Sequence, residues 1–387
     1  MDICPKEKCT GCYACVNACN HGCISMQEDD MGCVHPVVDE TNCIHCNLCK
    51  SSCPNNIELK YSYPSKCIAA WIEDKNKRKI CASGGIGTCM SEYVIKQGGV
   101  VFGSRYDSEM TPIMTYTEDI EDLEHFKGSR YVQSLVGEDT YRNVRKFLCK
   151  DRLVLFVGTP CQVAGLKTFL RKDYNNLITV DLICHGVSPT KYLNEEVSYL
   201  SDKYALKDIS DIRFRGNDGN NYREKIFQLD ENEQFYLQGF LLGVSMRENC
   251  YTCNYARPER ISDITIGDFI GIGKEEPFPY QKYNVSSVML NTPKGVVFYD
   301  KVSKESDSLV NIERNYEERL AYKPSLVHPF KRHPLNKQFQ DEYKKRGFVK
   351  GIRVVLHDYM KQRRKTNQKE RIIRIKNKLI RKIWKKH

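Results

Sequence analysis

Short apolar runs alternate with segments of helical periodicity across residues 64–186. The apolar runs are short enough for buried strands, and they are CIAAWI (67–72), GGVVFG (98–103), RLVLFVG (152–158) and LITVDLICHG (177–186). The segments with helical spacing are CMSEYVIKQ (89–97) and VAGLKTFLR (163–171). This strand–helix alternation predicts an α/β layer with parallel strands. From about 208 to 300 the runs shorten and turn residues become frequent, which predicts a mixed or antiparallel portion.

The first 62 residues are organised by cysteines rather than by apolar periodicity. Two runs share the spacing C-x2-C-x2-C-x3-C, and they consist of Cys9, Cys12, Cys15 and Cys19, and of Cys43, Cys46, Cys49 and Cys53. This spacing is typical of bacterial ferredoxins with two [4Fe–4S] clusters, in which the fourth cysteine of each run binds the other cluster. We therefore predict one cluster on Cys9, Cys12, Cys15 and Cys53, and a second on Cys43, Cys46, Cys49 and Cys19.

The 19 cysteines of the chain also bear on its compartment. The chain opens MDICPKEK, without the apolar stretch of a signal peptide, and no stretch approaches the roughly 18 apolar residues of a membrane span. A cytoplasmic location keeps thiols reduced and favours metal binding over disulfides. Zinc sites usually use two separated C-x2-C pairs, so a doubled run of four favours iron–sulfur clusters. Cys4, Cys23 and Cys33 fall outside the runs and are interpreted as packing residues.

A strongly basic segment ends the chain. Residues 343–387 hold 18 Lys or Arg against two acids, whereas the net charge of the whole chain is +11. Within residues 369–387 the apolar side chains fall on one helical face, formed by Ile372, Ile373, Ile375, Leu379, Ile380, Ile383 and Trp384. A basic amphipathic helix of this kind is typical of binding to an anionic membrane surface. The alternatives are a helix packed on the body or on a partner subunit. A nucleic-acid partner is not expected, since no recognition motif accompanies the charge.

Four further cysteines stand at positions suited to a common site. Cys161 follows a predicted strand and opens a helix, and Cys184 ends the next strand. Because the carboxyl ends of parallel strands line one crevice, both thiols should reach the same edge of the sheet. Cys250 and Cys253 form a C-x2-C pair, and the four together could hold a third cluster. Two alternatives stay open, namely a nucleophilic cysteine with His185 as its base and a redox disulfide within the C-x2-C pair.

Two glycine-containing segments suit a phosphate-bearing cofactor. In ASGGIG (82–87) the glycines let backbone amides approach a phosphate, and the following helix start adds a favourable dipole. The segment KGSRYVQS (127–134) adds Lys127, Arg130 and Tyr131, which suit a phosphate and an aromatic ring. Taken alone, each segment is more often an ordinary turn or a solvated loop.

In their order and spacing, these segments resemble the coenzyme F420 hydrogenase/dehydrogenase beta-subunit family over residues 64–335. The segments that carry the resemblance are ASGGIGT, QGGVVFGSRYD, KGSRYVQS, GTPCQVAGL, VDLICHGVSP, the C-x2-C pair at 250–253 and ISDITIGDF. The resemblance implies a flavoprotein that binds FAD and a [4Fe–4S] cluster in the same domain. The cluster would be ligated at the matching positions Cys161, Cys184, Cys250 and Cys253. The flavin would lie against Ser83, Gly84, Gly85, Lys127, Gly128, Ser129, Arg130, Tyr131, Gln133, Thr159 and Pro160.

The chain departs from the family's pattern in the half that we associate with the substrate. Ile270 stands where many members carry tryptophan, and residues 213–224 lack the lysine and tryptophan often found there. In relatives the deazaflavin F420 stacks on the flavin and passes a hydride to it, and the flavin releases single electrons to the clusters. By position, His185 and Asp268 are candidates for a proton donor, although a capping or packing role suits each equally well.

We therefore predict an α+β chain with three regions. These are a two-cluster ferredoxin-type domain at 1–62, an α/β domain with a mixed sheet for FAD and a [4Fe–4S] cluster at 63–340, and a basic amphipathic tail at 341–387. The predicted function is an oxidoreductase that passes electrons between FAD, with reduced F420 or another small molecule as its substrate, and the ferredoxin-type clusters. One rival is an electron-transfer subunit that relays electrons for a partner enzyme, with a link to surface-polysaccharide biosynthesis and no substrate of its own. A second rival is a degenerate binding protein whose clusters have only a structural role.

The predicted partners follow from this function and from the basic tail. They are a small-molecule or protein electron donor or acceptor and an anionic membrane surface. The predicted location is the cytoplasm, with peripheral attachment to the inner face of the membrane through the tail.

Overall fold

The computed structural model of the chain describes residues 1–207, 209, 211–215, 233–306 and 308–384, without the side chains of 370–372 and 374–384. Its amino-terminal part is a hairpin with two short helices. Strands β1 (Ile24–Glu28) and β2 (Val34–Val38) pair antiparallel. Helices α1 (Ala14–Ala18) and α2 (Leu48–Ser51) each lie within one cysteine run and pack on each other.

An eight-stranded mixed sheet forms the body of the molecule. Its strands are β3 (Lys66–Ile72), β4 (Val100–Tyr106), β5 (Pro112–Thr117), β6 (Val154–Gly158), β7 (Leu177–Leu182), β8 (Ile264–Asp268), β9 (Ser286–Leu290) and β10 (Leu309–Arg314). Their spatial order is β10–β3–β9–β8–β7–β6–β4–β5. The four strands β4, β6, β7 and β8 are parallel to one another, and every other neighbouring pair is antiparallel.

Helices cover both faces of the sheet and continue into a carboxyl-terminal layer. Their bounds are α3 (Lys75–Lys79), α4 (Ile86–Lys96), α5 (Thr140–Leu148), α6 (Pro160–Leu170), α7 (Thr190–Tyr204), α8 (Phe235–Leu241), α9 (Pro293–Glu305), α10 (Tyr316–Leu320), α11 (Asn336–Val355) and α12 (His357–Trp384). Helices α4 and α9 bury apolar residues against one face of the sheet. Helices α5 and α6 cover the other face and also contact α1. Because of this contact, the amino-terminal module shares one continuous apolar core with the sheet.

The carboxyl-terminal helices form a second core with α7 and α8. Phe348, Ile352 and Leu356 are fully buried there, together with Tyr192 of α7 and Tyr236 of α8. The first half of the basic segment is thus packed on the body, and α12 continues beyond it.

The predicted strands and helices are confirmed to within a few residues, and so are the mixed sheet and the α+β class. The parallel arrangement holds for β4, β6 and β7. Strand β3 is predicted to be parallel to these strands, but it is antiparallel to both of its neighbours, β9 and β10. Its partners lie more than 200 residues away along the chain, and local periodicity carries no information about such pairing.

Candidate functional site

Cysteines from both amino-terminal runs line a single cavity. Cys9, Cys12 and Cys15 of the first run surround it with Cys53 of the second, and Cys4 also lines it. Burial raises the pKa of Cys12 to about 12, and the negative charges of Cys53 and Cys9 add to the shift. Crowded thiolates repel one another, and a bound metal cluster removes that repulsion. The chemistry of this donor set therefore fits a [4Fe–4S] cluster.

A second group of thiols lies nearer the surface. Burial raises the pKa of Cys49, and the charges of Cys19 and Cys43 raise it further. Cys19, from the first run, therefore lies with the second run. Cys43 is half-buried and Cys46 is exposed. This group reaches solvent, whereas the first group is largely enclosed by protein.

The two runs follow the same backbone course. Gly11 and His45, each two residues after the first cysteine of its run, have φ values of 63° and 55°. Tyr13 and Asn47, two residues further on, have φ values of 62° and 58°. Left-handed residues at alternate positions curl the chain and turn its amide groups inward. One such amide, that of His45, donates a hydrogen bond to Cys43 Sγ at 3.4 Å.

A third group of thiols lies at the carboxyl edge of the parallel strands. Cys161 is the second residue of α6 and Cys184 follows β7, while Cys250 lies within a 3-10 turn and Cys253 directly follows that turn. Burial raises the pKa of Cys250 well above its usual value, and the charges of Cys184, Cys253 and Cys161 raise it further. Cys250 and Cys253 are free thiols rather than a disulfide. The structure thus brings together all four cysteines that the resemblance assigns to a cluster.

A site for a single metal ion requires a different arrangement of side chains from a site for a cluster. In the part of the chain that the structure describes, no three His, Cys, Asp or Glu side chains are arranged to hold one metal ion. A cubane spreads its ligands more widely, because each of its four irons takes its own thiolate.

His185 is directed toward aromatic side chains. Its ring centroid lies 4.2 Å from that of Phe330 and 5.1 Å from that of Phe240. Its Nε2 atom lies 3.2 Å from the carbonyl oxygen of Leu241. Burial lowers the pKa of His185 to about 4, so the ring is neutral near pH 7. The neighbouring Cys184 Sγ interacts with the backbone of Gly186 instead.

Two buried tyrosines lie between the first and third thiol groups. Burial raises the pKa of Tyr141, and the charges of Cys12 and Cys161 raise it further. The same two thiols act in the same way on Tyr255. Helix α6 connects the two groups, because it carries Cys161 in its first turn and packs on Cys12 through Gly165. A Cβ atom at Gly165 would lie 3.0 Å from Cys12 Sγ.

The predicted flavin loop is anchored to strand β9. Gly84 N donates to Ser286 Oγ at 2.9 Å, and Ser83 Oγ donates to the carbonyl oxygen of Val285 at 3.2 Å. A Cβ atom at Gly84 would lie 2.3 Å from the carbonyl oxygen of Ala70, so only glycine fits. Gly85 has φ of 90° and begins α4 without a side-chain cap. The free amides of this first helical turn are suited to an anionic group.

The basic residues of the segment 127–133 differ in their surroundings. Lys127 pairs with Glu124 at 2.8 Å. Burial raises the pKa of Cys81, which lies directly before the glycine loop, and the charge of Lys127 lowers that pKa. Lys127 is therefore close to the glycine loop. The Arg130 side chain is only 4 % exposed, and it pairs with Asp211 at 3.6 Å. The charge of Arg130 is therefore already engaged inside the protein.

The aromatic and amide residues of the same segment also separate. Tyr131 is stacked between Phe214 and Phe240, with ring centroids 5.1 and 5.0 Å away. Gln133 Nε2 donates weakly to the carbonyl oxygen of Thr10 at 3.4 Å, and its Oε1 accepts from Arg247. Gln133 thus contacts the amino-terminal module.

The remaining residues predicted for the flavin have local roles. A Cβ atom at Gly128 would lie 2.5 Å from the Arg213 side chain, and the carbonyl oxygen of Ser129 accepts from Phe214 N at 3.0 Å. Thr159 caps α6, and its amide donates to Gln162 Oε1 at 2.9 Å. Pro160 is the first residue of that helix.

A cluster of cationic side chains lies around Asp268, at the carboxyl edge of the parallel strands. The sequence does not predict this cluster. Arg215 pairs with Asp268 at 2.5 Å. Arg319 is fully buried, and in the described part of the chain neither of its terminal nitrogens has a hydrogen-bond partner. Burial lowers the pKa of Arg319 to about 10 and also lowers that of Lys323, which lies near Cys184. Among these residues the sequence predicts a role only for Asp268, which lies in ISDITIGDF, because no spacing pattern marks the others. The segment 213–224, which departs from the family's pattern, lies mostly outside the described residues.

Two family matches cover separate parts of the chain. Residues 151–313 match the family described as the carboxyl terminus of the coenzyme F420 hydrogenase/dehydrogenase beta subunit. Residues 8–57 match the 4Fe-4S dicluster domain. Comparison with curated proteins gives no match. Among solved structures, the chain is similar to a chain of the F420-reducing [NiFe] hydrogenase complex from Methanosarcina barkeri. The identity is 17 %, the coverage is 77 % of this chain and 94 % of that chain, and the TM-score is 0.44.

The chain therefore combines a dicluster ferredoxin domain with a domain of an oxidoreductase family. It is an iron–sulfur electron-transfer protein related to the beta subunits of F420 hydrogenases and dehydrogenases. The predicted pair of amino-terminal [4Fe–4S] clusters is confirmed by the dicluster match. No helix among the described residues is long and apolar enough to cross a bilayer.

Proposed function

We propose that the protein is an iron–sulfur flavoenzyme with three [4Fe–4S] clusters and FAD. The observation that carries this proposal is the presence of three separate thiol groups arranged from an exposed site to the carboxyl edge of the sheet. The cluster ligands in this proposal are Cys9, Cys12, Cys15 and Cys53 for the first cluster, Cys19, Cys43, Cys46 and Cys49 for the second, and Cys161, Cys184, Cys250 and Cys253 for the third.

The order of the groups supports a path for single electrons. The second group includes the exposed Cys46, where a protein donor or acceptor can approach. The first group lies between the second and the third, because its Cys53 follows Cys49 of the second group closely in the chain. Tyr141 and Tyr255 then lie between the first group and Cys161. This order provides a path for electrons between the surface and the sheet edge.

The flavin pocket in this proposal lies beside the third cluster. The uncapped start of α4 and the Ser83–Gly85 loop suit the phosphates, and Arg319 and Lys323 add positive charge. FAD, when bound, supplies the conversion between two-electron and one-electron chemistry. His185 and Asp268 stay the candidates for proton transfer with a small-molecule substrate such as reduced F420. Asp268 also holds Arg215 in place.

Anaerobic purification followed by cofactor analysis tests this proposal. We expect about twelve irons, in three clusters of four, and one FAD per chain. About eight irons with no flavin would reduce the protein to a dicluster carrier and would contradict the proposal.

A second candidate function is a relay subunit that depends on a partner enzyme. The observation in its favour is that Arg130 and Gln133, both predicted to bind the flavin, are engaged elsewhere. A relay subunit would not oxidise a small-molecule donor by itself. If the isolated chain reduces a dye acceptor with deazaflavin or nicotinamide donors, the flavoenzyme is favoured. If only a complex does so, the relay is favoured.

The basic end of the chain is proposed to bind an anionic membrane surface. Helix α12 extends from His357 to Trp384, long enough to lie along a bilayer. Ile373, the one side chain described between 370 and 384, is 55 % exposed. The remainder of the predicted apolar face lies outside the described side chains, so the proposal rests on the sequence pattern there.

A further inference from the structure

We propose that Arg247 is the electrostatic link between the first and third clusters and raises the reduction potentials of both. This inference rests on the proposed function, because it assigns clusters to the thiol groups at Cys9 and Cys161. Nothing in the sequence pattern singled out Arg247.

Arg247 is attached to both groups. Its amide donates to the carbonyl oxygen of Val187 at 2.9 Å, and its carbonyl oxygen accepts from Cys250 N at 3.1 Å. Its Nη2 atom donates to the carbonyl oxygens of Cys9, at 3.2 Å, and Val34, at 3.1 Å. The backbone of this residue therefore belongs to the third group, while its side chain ends on the loop of the first.

The guanidinium is a buried cation with neutral partners. Arg247 is 1 % exposed, its Nη1 donates to Gln133 Oε1 at 2.8 Å, and its Nε donates to Asn249 Oδ1 at 3.2 Å. The adjacent Glu248 is paired with Arg332. Across the residues that the structure describes, no carboxylate forms an ion pair with Arg247. A buried charge without a counter-ion is costly, and two clusters with four thiolates each supply the missing negative charge.

The contacts of the guanidinium reach both groups. Its Nη2 atom is hydrogen-bonded to the carbonyl oxygen of Cys9 in the first group. On the other side, Asn249 accepts from Arg247 Nε and places its own Nδ2 atom 3.9 Å from Cys250 Sγ in the third group. Among the described residues, none of the hydrogen-bond partners of the guanidinium belongs to the second group.

The direction of the effect follows from charge. A reduced cluster carries one more negative charge than an oxidised cluster, so a nearby cation stabilises the reduced form more. In a poorly solvated site this interaction is only weakly screened. Arg247 therefore raises the potentials of the first and third clusters, which makes them easier to reduce.

Two substitutions test the inference in the full chain with its clusters. Arg247→Gln removes the charge and keeps hydrogen-bond donors. Gln133→Glu keeps the guanidinium but places a carboxylate against it, which neutralises the cation without changing the size of either side chain. We expect both variants to shift the midpoint potentials of the first and third clusters to more negative values and to leave the potential of the second cluster unchanged. Arg247→Lys, which retains a charge, should shift them less than Arg247→Gln.

A redox titration followed by electron paramagnetic resonance measures the three potentials. Arg353→Gln is the matched control, since Arg353 is a largely buried arginine paired with Glu196 at 2.8 Å in the carboxyl-terminal core. It should shift none of the potentials. Unchanged potentials in Gln133→Glu, or an equal shift of all three clusters, would overturn the inference. Fewer than about twelve irons in the unsubstituted protein would instead count against the proposed function.

Discussion

At the scale of single residues, ligand-type cysteines differ from packing cysteines in their neighbours. Cys67 lies among apolar side chains, and burial raises its pKa to about 12 without help from another thiol. Cys253 lies among thiols and itself raises the pKa values of Cys161 and Cys250. Packing alone explains the first cysteine, whereas the second stands in a group that suits a metal cluster.

A serine substitution separates these two kinds of cysteine. Cys253→Ser should lower the iron content from about twelve to about eight, because a cubane that loses a thiolate is poorly held. Iron analysis and the resonance spectrum measure the change. Cys149→Ser, at an exposed thiol outside all three groups, is the matched control and should keep every iron. A full iron content in Cys253→Ser would contradict the ligand assignment.

At the scale of elements, helix α6 holds two thiol groups at a fixed separation. It begins at the third group and packs its second turn on the first group through Gly165. A Cβ atom there would lie 3.0 Å from Cys12 Sγ and from the Tyr141 hydroxyl oxygen. A thiolate bound to iron cannot move aside to relieve such a contact.

An alanine substitution tests this close approach. Gly165→Ala should lower the free energy of unfolding by about 1–3 kcal/mol, the usual effect of overpacking. Thermal unfolding under anaerobic conditions measures the change. Gly87→Ala is the matched control within α4, since its Cβ atom would meet nothing closer than 3.6 Å. It should be neutral or stabilising by up to about 1 kcal/mol, because alanine favours helices over glycine. Equal stability of the two variants would remove the packing argument.

The elements that the sequence predicts correctly are those whose signals are local. The apolar runs of β6 and β7, and the cysteine spacing near the amino terminus, lie within short windows of sequence. The antiparallel placement of β3 depends on β9 and β10, which are contributed by distant parts of the chain. Non-local pairing of this kind leaves no trace in periodicity.

The candidate site shows the same division between local and non-local information. The positions of Cys161 and Cys184 at strand ends could be predicted because they follow from local spacing. The surroundings of Arg130 and Gln133 could not, because their partners Asp211 and Arg247 are 81 and 114 residues further along. No sequence pattern marks Arg319, because its role depends on its burial beneath the sheet edge in the folded chain.

At the scale of the whole molecule, the cofactor-bearing parts form one continuous core and the basic helix α12 extends from it. The clusters and the segment that we propose to bind a membrane are therefore separable. The first half of the basic segment, which includes Phe348 and Ile352, is buried in the carboxyl-terminal core and must be kept.

Removal of residues 366–387 tests the membrane proposal. The truncated protein should lose binding to vesicles that contain anionic lipid, since each Lys or Arg near such a surface contributes about 1 kcal/mol. Vesicle sedimentation measures the binding. Zwitterionic vesicles serve as the lipid control, and an unchanged iron content shows that the body is intact. Undiminished binding to anionic vesicles would rule out this role of the tail.

The exposed thiol of Cys46 has a further consequence for the molecule in a living cell. A cluster that another protein can approach is also one that dioxygen can approach, because neither requires more than an open path to the sulfur. The buried first and third groups are shielded from such attack by the same packing that isolates them from outside partners. The chain is therefore most vulnerable to air at the exposed second group, and oxidative damage there would disconnect an otherwise intact interior.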